Sequence, residues 1–167
     1  KDISTDICII GAGMFGLTCG YYLSKTGLKV TIIEKSDIAT KTTGHTTAKI
    51  TSQHGLFYSY LVDTYGFQFA KDYLFANEEA IENIKNIINN ENINCDFKNQ
   101  SSFVYTTDES EIVKIKQEVN TVNMLGFPAN FVTKTGLPFE IAGGIQFKNQ
   151  AQFNPIKYLN GLCNNII

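Results

Sequence analysis

Arginine is missing altogether: all 14 basic residues are lysines. Arginine offers the planar fork that grips a carboxylate with two parallel hydrogen bonds, so a clamp of that kind on a substrate acid has to come from outside these residues. There is no basic run or basic face, and the net charge is −2, which argues against a nucleic-acid partner. No stretch approaches the roughly 20 apolar residues of a membrane-spanning helix. The four cysteines, Cys8, Cys19, Cys95 and Cys163, form no Cys-x-x-Cys pair. That spacing suits neither a metal centre nor a redox dithiol, so no metal is expected, and the pattern is that of a reducing, cytoplasmic protein. Cys8 and Cys19 stand in apolar patterns and are expected to be small core residues. No Ser/His/Asp or paired-carboxylate constellation occurs at a persuasive spacing, and no catalytic residue is assigned. What remains is core-forming: 43% of residues are hydrophobic and 18% charged, a balance that buries a core. The 167 residues suffice for one domain or one and a half small ones. The chain starts at Lys1 and ends at Ile167 inside a helical pattern, and we expect it to be a piece of a longer polypeptide.

The opening reads as strand, glycine turn, helix, strand. Ile7-Cys8-Ile9-Ile10 is a continuous apolar run, as in a strand buried on both faces of a parallel sheet. A helical pattern follows from Met14, with Leu17, Tyr21 and Tyr22 on one side and Gly27 as its stop. Residues 29–34 make a second strand, and two strands joined by a helix imply a right-handed parallel crossover. The polar, Thr-rich stretch 35–54 predicts a loop and then a helix starting near Thr46. A short helix is expected up to Tyr65, ended by Gly66, and a long one over 67–90 with Phe69, Tyr73, Ala80, Ile81, Ile84, Ile87 and Ile88 as its stripe. The aromatics Phe67, Phe69, Tyr73 and Phe75 read as core rather than a substrate cage. Beyond Asn94 the character changes. Strands are expected at 95–97, 102–106, 130–133 and 144–147. A helix carries Ile112, Ile115, Val119 and Val122, opened by a capping box from Asp108 to Glu111. Asn154-Pro155 opens a last helix with Ile156, Leu159 and Leu162 inward.

The chemistry sits in Gly11-x-Gly13-x-x-Gly16, placed between strand and helix, with Glu34 ending the next strand. Gly11 permits the tight turn, Gly13 lets a pyrophosphate approach the backbone, and Gly16 lets helix and strand pack closely. The helix N-terminus presents free N–H groups to the phosphates. Glu34 lies about 20 residues on, where an acid accepts from ribose hydroxyls, and its charge repels a 2′-phosphate. Such a motif alone serves NAD and FAD alike. A simple NAD domain continues with another helix and strand of the same sheet; this chain gives the hydroxyl-rich run 41–51 instead. A helix starting at Thr46–Thr47 would aim a second set of N–H groups at the same pyrophosphate; a solvated Thr-rich loop is the plainer alternative.

Three segments together resemble one family. They are DICIIGAGMFGLTCGYYLSKTGLKVTIIEK (6–35), TTGHTTAKITSQHG (42–55) and GGIQFKNQAQFNPIKYLNGL (143–162). They resemble the glycine/D-amino acid oxidase (DAO-type) superfamily of FAD-dependent oxidoreductases, over nearly the whole chain. The Thr-Thr-Ala-Lys form resembles a bacterial branch whose members often carry a C-terminal Rieske iron–sulfur domain. The resemblance implies an α/β fold, with a partial Rossmann-like FAD-binding parallel sheet and a second, smaller β-rich α+β portion. It implies an N-terminal half of the FAD-binding domain at 1–92, part of a substrate domain at 93–152 and a return helix at 153–167. The implied activity is oxidation of the C–N bond of a small-molecule amine or amino acid, with hydride passing to the flavin. By position, Gly11, Gly13, Met14, Phe15 and Gly16 line the pyrophosphate turn, Glu34 holds the adenosine ribose and Lys35 lies beside the adenine. Thr42, Thr43, Thr46 and Thr47 lie along the pyrophosphate and toward the isoalloxazine. His45 is a polar contact near the cofactor, a covalent attachment point as in some relatives, or a loop histidine; His54 is expected to make a hydrogen bond and carries no chemistry. The competing readings are an NAD-dependent dehydrogenase and a non-catalytic dinucleotide-binding module.

Overall fold

The computed structural model describes residues 2–38 and 47–166. In chain order its elements are β1 (Ile7–Ile10), α1 (Met14–Ser24), β2 (Val30–Ile33), β3 (Lys49–Ile50), α2 (Tyr58–Tyr65), α3 (Phe67–Asn90), β4 (Lys98–Thr106), α4 (Ile112–Met124), β5 (Ala129–Val132), β6 (Gly143–Gln152) and α5 (Pro155–Asn164). A 3-10 turn, Glu109–Glu111, precedes α4. The fold is mixed α/β, with one parallel and one antiparallel sheet. The chain forms two compact units: Lys1–Lys49 with Ile84–Phe97 and Phe153–Ile167, and Ile50–Asn83 with Lys98–Gln152. The segment 50–83, grouped with the first domain on sequence, thus packs with the second unit.

In the first unit β1 and β2 pair in parallel, from Ile7 opposite Val30 to Ile10 opposite Ile33. α1 makes the crossover and buries Leu17 and Tyr21, while Tyr22 is exposed. α5 packs against α1. Asn154 caps α5, its Oδ1 accepting from the N–H groups of Ile156 and Lys157, both at 3.1 Å. Tyr158, Leu159 and Leu162 face inward, whereas Ile156 is exposed. Burial of β1 on both faces does not hold: its residues alternate, with Cys8 and Ile10 exposed. Cys8 is therefore no core residue, and Cys19 is only half-buried. The reason is that α1 packs against this pair, and among the described residues the sheet has two strands. The expected strand at 95–97 is irregular instead: Asp96 takes φ 54°, and the Cys95 carbonyl accepts from the Asn154 N–H at 2.7 Å.

The end of α1 is tied to the end of α3 through three polar groups. Tyr21 Oη donates to Glu91 Oε1 at 2.6 Å, and Lys25 Nζ reaches the same oxygen at 2.8 Å. Hydrogen bonds from Lys25 and then Tyr21 hold the Glu91 carboxyl below its ordinary range, and the bond to Glu91 raises Lys25. A depressed carboxyl stabilises the fold above its unfolded pKa, and that contribution is lost as pH falls through the folded value. Lys25, raised, loses its contribution as pH climbs through its folded value. Glu91→Gln is therefore expected to lower the melting temperature at pH 7, with the gap to the native protein closing below about pH 4. Melting curves from pH 3 to 8 check this, and a gap that persists unchanged at pH 3 contradicts it.

In the second unit β6 is the central strand, antiparallel to β4 and β5 and adjoined by β3. Tyr58, Leu61, Leu74, Val122, Ile145 and Phe147 belong to the core beneath it. α3 begins and ends where the periodicity predicts, and Ile81, Ile87 and Ile88 are buried as expected, but the first half of the stripe differs. Ala70 and Leu74 are buried, whereas Phe67, Phe69 and Phe75 are exposed and Tyr73 is half-buried. Of the helix expected from Thr46–Thr47, Thr46 lies outside the described residues, and Thr47 and Ala48 are irregular and lead into β3, with Ala48 at φ 61°. Helix resumes at Tyr58 and ends at Gly66, φ 87°. Asp108 caps as expected, accepting from Ser110 N–H at 2.8 Å, but it opens the 3-10 turn. Glu111 bonds Lys114 at 2.9 Å instead of completing a capping box.

The N-terminus of α2 is capped from a distance. Phe57 stands at the cap position and its side chain has no oxygen to offer. Glu118 of α4, 1% exposed, supplies both carboxylate oxygens, Oε1 to Tyr58 N–H at 2.6 Å and Oε2 to Ser59 N–H at 2.8 Å. Nearby, Ser52 and Gln150 are buried in a polar knot: Gln150 Oε1 accepts from Ser52 N–H at 2.7 Å, and Ser52 Oγ donates to Glu78.

Candidate functional site

The glycine turn and the acid meet because of the strand register. Ile10 lies opposite Ile33, so the residues that leave the two strands, Gly11 and Glu34, emerge side by side. Gly11 donates its N–H to the Ile33 carbonyl at 2.7 Å and turns at φ 106°, a conformation that favours glycine. Ala12 is buried, and its N–H donates to Glu34 Oε2 at 2.8 Å. Gly13 stands at the cap of α1 in an extended conformation, with no side-chain cap and no acid in the first helical turn. Among the described residues the helix thus opens with no side-chain cap on its first N–H groups and with a partial positive charge, the arrangement that receives phosphate. A Cβ on Gly16 would lie 1.9 Å from the Gly11 carbonyl oxygen, so the missing side chain is what lets α1 start this close to β1.

Glu34 is held at both oxygens. Oε1 accepts from the N–H and the Oγ of Ser36, each at 3.1 Å. The hydrogen bond from Ala12 and then those from Ser36 keep the carboxyl below its ordinary range, so it is an acceptor throughout the neutral range. Met14 is half-buried at the helix start, Phe15 is exposed beside it, and Lys35 is exposed next to Glu34. Thr47 is exposed on irregular chain. Thr42, Thr43, His45 and Thr46 lie outside the described residues. His54, in the second unit, shares a hydrogen bond with Tyr73 Oη through Nδ1 at 2.9 Å. Sequence reasoning missed Ala12 and Ser36. Ser36 carried a signal: a serine two residues after a side-chain acceptor reaches it by a local turn. Among the described residues no cluster of three or more His, Cys, Asp or Glu side chains could hold a metal, and no helix is long and apolar enough to cross a membrane.

A parallel β-α-β unit with an uncapped, glycine-lined helix start and an acid at the end of its second strand defines a dinucleotide-binding protein. The chain belongs to the DAO family of FAD dependent oxidoreductases, whose family model matches residues 6–167. It is 35% identical over 167 residues to the "Putative Rieske 2Fe-2S iron-sulfur protein YhfW" of Bacillus subtilis (strain 168), covering all of this chain and 33% of that protein. It is 24% identical over 120 residues to the gamma-glutamylputrescine oxidoreductase of Escherichia coli (strain K12), covering 72% of this chain and 28% of that protein. The crystal structure of L-proline dehydrogenase from P. horikoshii superposes with a TM-score of 0.79 at 19% identity, over 99% of this chain and 42% of that one. The chain therefore spans about a third of the length of the curated relatives it matches. The cofactor is FAD, in place of the NAD that the glycine motif left open. The site fits the adenosine-diphosphate half of that group: the turn at Gly11 and Gly13 keeps side chains out of the approach to the helix start, and Glu34 stands as an ionised acceptor beside it.

Proposed function

We propose that this chain supplies the adenosine-diphosphate-binding part of a flavoenzyme that oxidises the C–N bond of a small amine or amino acid. The observation that carries the reading is the junction of Glu34, Ala12 and the uncapped start of α1. In it Gly11, Gly13, Met14, Phe15 and Gly16 line the pyrophosphate, Glu34 accepts from the ribose and Lys35 flanks the adenine. Thr42, Thr43, His45, Thr46 and Thr47 extend the contacts toward the flavin ring. Bound FAD supplies a two-electron acceptor for the substrate. The residues of this chain bind and orient it, and they hold a negative charge where a 2′-phosphate would otherwise fit. The nitrogenous substrates in the names of the gamma-glutamylputrescine oxidoreductase and the L-proline dehydrogenase support the substrate class. We assign 1–92 to the FAD-binding domain, 93–152 to the substrate domain and 153–167 to a return toward the first, in a cytoplasmic protein. The name of the Bacillus relative supports a Rieske domain as a partner in the full-length polypeptide.

The test is an absorption spectrum of the purified full-length protein, followed by anaerobic addition of amines and amino acids. Flavin bands that bleach with one of these substrates are expected. A colourless protein that cannot be reconstituted with FAD, yet binds NAD, rules the reading out. Colour that stays with acid-precipitated protein identifies a covalent flavin and directs attention to His45.

A further inference from the structure

The Glu34 carboxylate has about four acceptor sites, two on each oxygen. Protein donors already hold it: Ala12 N–H on Oε2, Ser36 N–H and Oγ on Oε1, and, more weakly, the Lys35 N–H. Both donors on Oε1 come from a single residue two positions along the chain. They pin one end of the carboxylate while Ala12 pins the other, so the plane of the group is fixed before any ligand arrives. Fixing an acceptor in advance spares the ordering cost that binding would otherwise incur. Of the two oxygens, Oε2 is the one that touches the glycine turn.

We propose that Ser36 is a positioning residue for the adenosine ribose, holding Glu34 so that its carboxylate accepts from a ribose hydroxyl. The proposal rests on the reading of this turn as the FAD site and adds a residue that the glycine motif does not contain. Lys35 separates the two residues in sequence and gives the carboxylate only a weaker bond from its backbone N–H, so the pinning of Oε1 belongs chiefly to Ser36. Removing the hydroxyl leaves one donor on Oε1, loosens the carboxylate and lets its pKa rise toward the ordinary value. Affinity that depends on an ionised Glu34 is lost as pH falls through that pKa, so the acid limb of binding moves to higher pH.

The experiment is calorimetric titration of the full-length apoprotein with ADP and with 2′-deoxy-ADP and 3′-deoxy-ADP, from pH 4 to 8. Ser36→Ala is expected to bind ADP about three- to tenfold more weakly, the range for the net contribution of one ordinary hydrogen bond. Its acid limb is expected to shift upward, its melting temperature to stay unchanged, and Ser36→Thr to restore both affinity and limb. One of the two deoxy nucleotides is expected to bind the native protein more weakly than ADP and to show little further loss in Ser36→Ala. Native affinity and an unmoved acid limb in Ser36→Ala overturn the proposal, provided Glu34→Ala still weakens ADP. If Glu34→Ala binds ADP as the native protein does, the reading of the turn as the nucleotide site fails with it.

Discussion

Gly16→Val is expected to abolish FAD binding, lowering affinity more than about a hundredfold, and to destabilise the fold by about 3 kcal/mol or more. The reason is where the added atoms go. The first of them, Cβ, falls 1.9 Å from the Gly11 carbonyl oxygen, 3.1 Å from the Gly11 carbonyl carbon and 3.3 Å from Ile9 Cγ2. Two of those three neighbours are backbone and cannot rotate away. Relief requires the start of α1 or the turn to move, and the turn is fixed by Gly11 N–H to Ile33 and Ala12 N–H to Glu34. Any movement large enough to clear the clash therefore breaks the geometry that receives the pyrophosphate. Gly20→Ala is the internal comparison. Its Cβ would meet Ile32 Cδ1 at 2.5 Å, the far end of a flexible side chain, so a change of rotamer absorbs much of the strain. Thermal melts and FAD titrations of the two variants separate them, and a Gly16→Val protein that binds FAD normally would show that α1 does not start as described.

Glu118→Ala is expected to cost about 3–5 kcal/mol, the scale for removing one partner of a buried charge-assisted network. The two N–H groups at the start of α2 would lose their acceptors together in a buried place. Ser59 Oγ, bonded to Thr121 Oγ1 at 3.1 Å, cannot serve both. Glu118→Gln keeps one good acceptor and is expected to lose roughly half as much. Urea unfolding of the three proteins checks the order. Equal stability of Glu118→Ala and the native protein would mean that the carboxylate does not cap the helix.

These two positions also divide what was legible in the sequence from what was not. The glycine turn could be read because its parts are local. Strand, turn, helix, second strand and acid all fall within the first 34 residues, and each glycine answers to a neighbour fixed by the same unit. The resemblance then supplied the family and its cofactor, which the turn alone could not. Glu118 gave no signal, because its partners lie 59 and 60 residues away and a glutamate inside an amphipathic helix reads as a solvated residue. The first half of the α3 stripe was misjudged for a related reason: Phe67, Phe69 and Phe75 are the largest apolar residues there, yet the facing core admits Ala70 and Leu74. Cys8 and Ile10 looked buried because an apolar strand says nothing about which of its faces has a cover. No helix continues through Thr47 and Ala48, because a Thr-rich run has no apolar period to set one, and Ala48 turns the chain into a strand.

The three-piece composition of the first unit bears on how the protein is made. Its opening piece, Lys1–Lys49, carries the glycine turn, but α5, which packs against α1, belongs to the last piece, Phe153–Ile167. On a ribosome the turn emerges about 140 residues before its supporting helix, a delay on the order of 7–28 s at about 5–20 residues per second. During that interval the second unit can close its own core, since Ile50–Asn83 and Lys98–Gln152 have both appeared before Phe153. Cofactor loading is thus a late event in synthesis, and a nascent chain arrested before Pro155 carries the complete glycine motif without the helix that steadies it.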